Sequence, residues 1–83
     1  MTGASAFKFQ PIAVNEAAPG GPCVLRTFDD IGVFILTKVD IKLRLMPHWA
    51  ATRRDLIQAR FGSRRAEVHE AMRQALAIEG WLD

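Results

Sequence analysis

Apolar and polar positions change period several times along this chain, and each change predicts an element. Residues 7–15 alternate, with Phe7 and Phe9 in one phase and Ile12 and Val14 shifted by one at Pro11. A period of two reads as a strand. Proline lacks an N–H, which makes this an edge strand or a bulged one. The run Ala17-Ala18-Pro19-Gly20-Gly21-Pro22 is turn chemistry. Residues 23–26 form a second short strand, so the pair predicts an antiparallel hairpin with a long loop. Thr27 predicts a helix N-cap. Its hydroxyl can accept the Asp30 N–H while Asp30 reaches back, a capping box with Asp in place of Glu. The helix is expected over residues 28–37, with Phe28, Ile31, Ile35 and Leu36 as its buried stripe. Gly32 would let it approach the hairpin closely.

Residues 38–45 alternate strictly: Lys38, Asp40, Lys42 and Arg44 against Val39, Ile41, Leu43 and Leu45. A helix continuing from Thr37 would scatter those four apolar residues around its axis. The period therefore favours a strand or extended linker, which as a strand would be a third member of the hairpin, ended by Pro47. A second helix is expected over residues 48–61, stopped by Gly62. Ser63 caps a third over residues 64–79, with Val68, Ala71, Met72, Ala75, Leu76 and Ile78 on one side. Gly80 supplies a left-handed residue, and in a Schellman ending Trp81 folds back on Leu76. The fold class expected is α+β: an N-terminal antiparallel hairpin, with 38–45 as its candidate third strand, packed against three α-helices. Residues 1–6 read as a frayed tail and residues 7–83 as one domain.

Composition agrees with a globular chain: 49% apolar and 24% charged. Eighty-three residues give a thin core, which self-association would supplement. The lone cysteine, Cys23, excludes an internal disulfide and fits a reducing compartment. Residues 1–6 have neither the basic nor the apolar region of a signal peptide. The longest apolar run, residues 33–36, falls far short of the ~20 residues that span a bilayer. A soluble cytoplasmic protein without membrane contact is expected.

The order of signals has a likeness. Phe9-x-Pro11-Ile12-x-Val14, a Gly-rich turn, then residues 24–27 running into a capped helix that ends Phe34-Ile35-Leu36, resembles a bacterial family of small proteins catalogued as domain of unknown function 982. Trp49, an Ala-rich helix reaching Ala59, Gly62 and a closing helix over residues 66–80 fit as well. The chain differs between residues 38 and 48, where the family has a short Trp-Pro linker. The resemblance implies a compact α+β fold with a hairpin and three helices. It brings no activity and no catalytic residues.

Charge separates the chain. Residues 42–65 hold seven basic residues and one acid, Asp55, a net +6 against +2 for the whole. Arginine suits carboxylate or phosphate partners. On the second helix, Trp49, Ala50, Leu56, Ile57 and Phe61 form a broad apolar side, and Arg53 and Arg60 point into its middle. Three readings follow. The arginines extend between two apolar contacts; the face meets another subunit, where arginine and tryptophan are favoured; or Arg53 and Arg60 join Arg64 or Arg65 in an anion site at the third helix's start. The candidate binding residues are Arg53, Arg60, Arg64 and Trp49.

Catalytic and metal motifs are weaker. His69-Glu70-x-x-Arg73 begins like a metalloprotease helix, but arginine stands where the second histidine belongs, so His69 reads as a solvent-facing helix residue. A metal site would need His48 to meet Cys23 or His69 in space. Cys23 has no histidine near in sequence to act as a base and reads as a small buried hydrophobe. With two serines, Ser5 and Ser63, and no tyrosine, serine-hydrolase chemistry has no candidate. Gly20-Gly21 lacks the phosphate-loop pattern. No cofactor is implied. The turn between the second and third helices resembles helix-turn-helix, yet Glu67 and Glu70 would repel phosphates and the net charge is low for a DNA binder. The function expected is a non-enzymatic protein-interaction or binding module that pairs with itself. The alternative is a weak nucleic-acid or anion binder through residues 42–65.

Overall fold

The computed structural model describes residues 9–59, 62 and 65–83. The expected tail 1–6, the strand start at Phe7, the Phe61 helix end and the Ser63 cap lie outside the described residues. The fold is α+β: a two-stranded antiparallel hairpin followed by three helices. Strand β1, Ile12–Val14, pairs with β2, Cys23–Leu25, in the register Ile12 with Leu25 and Val14 with Cys23. Ile12, Val14 and Leu25 turn inward and are buried, as period-two alternation requires.

The hairpin loop is tied by Asn15. Its Oδ1 accepts the Ala17 N–H at 2.9 Å, and its carbonyl accepts from Ala18 at 3.3 Å. Gly21 passes so close that a Cβ there would stand 2.0 Å from the Asn15 carbonyl oxygen.

Helix α1 spans Phe28–Thr37 and begins with the capping box: Asp30 N donates to Thr27 Oγ1 at 3.0 Å, and Asp30 Oδ2 accepts the Thr27 N–H at 3.2 Å. Its buried residues are Ile31, Phe34 and Ile35. Leu36, expected in that stripe, is exposed, and Phe34 takes its place. Gly32 faces helix α2 (Pro47–Ala59) rather than the hairpin, with Leu56 Cδ2 3.5 Å from where its Cβ would stand.

Residues 38–45 correct the expectation of a third strand: they turn and close into a short 3-10 helix, Leu43–Leu45. Two causes are visible. Asp40 Oδ1 accepts the Lys42 N–H at 2.8 Å and its carbonyl accepts from Arg44 at 3.0 Å, the local alternative to a ladder that short polar side chains offer. The edge of β1 away from β2 is also taken. Leu82 bridges Val14 in antiparallel sense, Asn15 N donates to the Trp81 carbonyl at 2.8 Å, and Asp83 N donates to the Ala13 carbonyl at 3.0 Å. Val39 is buried and Leu43 half-buried, while Ile41 and Leu45 face outward.

Helix α3 spans Arg65–Glu79. Its contact with α2 is the most extensive between elements. Val68, Met72, Ala75 and Leu76 bury the expected side of α3, but Ile78 is exposed. Gly80, at φ 80°, ends the helix. Trp81 N donates to the Leu76 carbonyl at 2.8 Å and Gly80 N to the Ala77 carbonyl at 3.0 Å, the Schellman pair. This ending carries Trp81 and Leu82 back onto the core.

Candidate functional site

The polar centre of the molecule joins the two ends of the helix pair. Trp49 lies two residues inside the start of α2 and is 0% exposed. Its indole Nε1 donates to Glu79 Oε2 at 3.0 Å, and His48 Nε2 donates to the same oxygen at 2.9 Å. Glu79 is the last residue of α3. The His48 hydrogen bond holds its carboxyl below the ordinary glutamate range; burial opposes this, while the Trp49 bond and any charge on His48 add to it. Trp49 also stands 6.1 Å from Trp81, centroid to centroid, so the C-terminal turn packs against the indole. Trp49 is thus a core residue, not part of a binding surface as expected. Helical position alone hides this, because Glu79 is thirty residues away in sequence.

The inner side of α2 differs from its apolar count. Trp49, Thr52, Asp55 and Ala59 are buried, whereas Ala50 and Ile57 face outward. Thr52 is admitted because its hydroxyl donates to the His48 carbonyl one turn back, at 2.7 Å. The outward turn of Ile57 moves the apolar side toward α1. There the two helices leave an open groove of about 510 Å³, lined by Phe28, Asp29, Gly32, Val33 and Leu36 of α1, Leu56 and Ala59 of α2, and Arg65. A second hollow of about 190 Å³ continues it between Leu36 and Arg53. Val33, Leu36 and Ile57 are 59%, 62% and 58% exposed around it.

The basic residues disperse. Arg53 lines the second hollow and Arg65 the first. Arg44 Nε donates to the Val39 carbonyl at 3.2 Å, and Arg54 points to solvent 3.8 Å from Asp55 Oδ1. Arg60 and Arg64 lie outside the described residues, so of the four candidate binding residues Arg53 alone is placed on this surface. His69, expected to face solvent, is half-buried: its Nε2 donates to the Gln10 carbonyl at 2.8 Å and its ring meets Phe9 edge-on at 5.1 Å. Cys23, expected inside, is half-buried at the start of β2. Among the described residues no three His, Cys, Asp or Glu side chains gather as a metal site would require, and no helix is long and apolar enough to cross a membrane.

No protein-family model, curated protein or solved structure matches this chain. The exposed apolar groove and its rim charges are therefore the features from which a role can be argued. In sequence they carry one usable signal: Leu36, directly after the buried pair Phe34 and Ile35, cannot share their side of a 3.6-residue helix.

Proposed function

We propose that this chain is a non-enzymatic interaction module that self-associates through the open face of α1 and α2. The observation that carries the proposal is the cluster Val33, Leu36 and Ile57, more than half exposed around an apolar-floored groove. Contiguous exposed apolar surface bordered by charge marks contact sites. The non-enzymatic part draws support from the titratable cluster at the polar centre. Glu79 Oε2 already accepts from His48 Nε2 and Trp49 Nε1, an arrangement that holds helices together. A cytoplasmic setting belongs to the same proposal and rests on the single cysteine. Kinship with the family of domain of unknown function 982 is likewise proposed, supported by the order of hairpin and helices.

Sedimentation velocity between about 10 μM and about 1 mM tests the reading. A rising sedimentation coefficient is expected for the native chain, and none for Leu36→Asp, whose exposed side chain leaves folding intact. A native chain that remains monomeric throughout overturns the reading. The alternative, an anion or nucleic-acid binder, is favoured by Arg53 and Arg65, which line adjoining hollows. It requires binding to DNA, RNA or phosphate at low ionic strength that falls steeply with added salt.

A further inference from the structure

We infer that two copies pair about a two-fold axis at Leu36, with the α1 of each laid across the α2 of the other so that Asp29 meets the partner copy's Arg53. The inference rests on the proposed self-association and adds its register. The two helices carry complementary surfaces. Helix α1 has two acids, Asp29 and Asp30, and no base. The outer side of α2 has Arg53 and Arg54, while its acid, Asp55, is buried. A second copy therefore brings the acidic, apolar α1 to the hollow that Arg53 lines with Leu56 and Ile57.

The spacing fits. Phe28 and Ala59 line the first hollow only, Arg53 with Ile35 and Ile57 the second only, and Gly32 faces Leu56 between them, so α1 and α2 run in opposite senses. Packed helices stand roughly 8–10 Å apart. Asp29 precedes Leu36 by seven residues, about 10.5 Å along α1. These two steps are nearly equal. If Leu36 meets Leu36 of the second copy and α1 turns across the seam, Asp29 travels from the α1 side to a point above Arg53. Two-fold symmetry repeats the contact. Arg65, which lines the first hollow and not the second, takes no part. Arginine beside an apolar centre is also the composition that interfaces favour.

Charge reversal reads the register. Asp29→Lys alone sets two lysine–arginine contacts in its homodimer, and Arg53→Glu alone sets two carboxylate contacts. Each should weaken association at least tenfold. An equimolar mixture of the two proteins has one native and one reversed pair in its heterodimer, both attractive, so association should return to within about threefold of native. Arg65→Ala should leave association unchanged. Leu36→Cys in a Cys23→Ala background should give a disulfide dimer on mild oxidation, whereas Ile78→Cys on α3 should not. This pair decides the matter if Asp29→Lys fails to fold. A mixture that stays monomeric, or absence of the Leu36→Cys dimer, overturns the register, while loss of association in Leu36→Asp still upholds the face. Loss of association in Arg65→Ala overturns the register. A native chain that is monomeric overturns both proposals.

Discussion

Replacing Glu79 tests how much of the fold depends on one carboxylate oxygen. Oε2 receives His48 Nε2 at 2.9 Å and Trp49 Nε1 at 3.0 Å, and so ties the start of α2 to the end of α3. Glu79→Ala removes the acceptor from both donors, and the indole N–H belongs to a ring that is fully buried. A hydrogen bond to a charged group contributes about 1.5–3 kcal/mol, and an orphaned buried donor costs about 1–3 kcal/mol. The two overlap, so the expected loss is about 2–4 kcal/mol. Glu79→Gln keeps a carbonyl oxygen for the indole and should lose about 1 kcal/mol. A chain of 83 residues has a total stability of about 4–12 kcal/mol, so the alanine variant forfeits a large share. At about 4–8 °C per kcal/mol, Tm should fall by about 10–25 °C for alanine and about 5 °C for glutamine. Urea unfolding followed by tryptophan fluorescence, repeated between pH 3 and pH 7 (about the carboxylate range), measures both effects. The sign follows from the lowered Glu79 pKa. A carboxyl lowered on folding contributes stability that is fully present above its unfolded value and is lost as pH falls through its folded value. The glutamine variant should therefore show a shallower acid loss than native. Equal losses for alanine and glutamine, or an unchanged acid limb in Glu79→Gln, would refute the assignment.

Two further substitutions probe the connection and the hairpin. Val39→Ser should cost about 2 kcal/mol and Ile41→Ser less than about 0.5 kcal/mol by chemical denaturation, because Val39 is 2% exposed and Ile41 67%; equal costs would restore the strand reading of residues 38–45. Gly21→Ala should lower stability by about 3 kcal/mol or more in the same assay, since its Cβ would stand 2.0 Å from the Asn15 carbonyl oxygen. A loss under about 1 kcal/mol would mean that the loop relaxes freely.

The elements most legible in the sequence are those specified by a local, directional group. Thr27 and Asp30 fix the α1 start, and Gly80 with Trp81 fixes the α3 end, because each motif satisfies orphan backbone groups within a few residues. Residues 38–45 depart from their period because alternation states which side chains could share a sheet face, not whether an edge is free to pair. The second partner of β1, after β2, is Leu82, at the far end of the chain. It arrives there only because the α3 ending reverses the backbone, and no period in residues 38–45 encodes that competition.

The site is harder to read than the fold for a related reason. Hydrophobic counting assumes that apolar residues point inward and polar ones outward, and α2 departs from this in both directions. Thr52 and Asp55 are buried; Thr52 is made acceptable by a backbone carbonyl. Their inward position turns Ile57 out, beside the hollow that it lines with Leu36. The exposed apolar face is thus the counterpart of a polar residue pair admitted to the core. Thr52→Val and Asp55→Leu together would make the inner side of α2 wholly apolar beside Trp49 and Ala59, so the helix would keep its orientation and Ile57 would stay exposed. Polar residues held inside α2 while apolar ones stay outside depart from the usual helix pattern, and the proposed pairing of two copies at Leu36 and Ile57 would cover the exposed side chains.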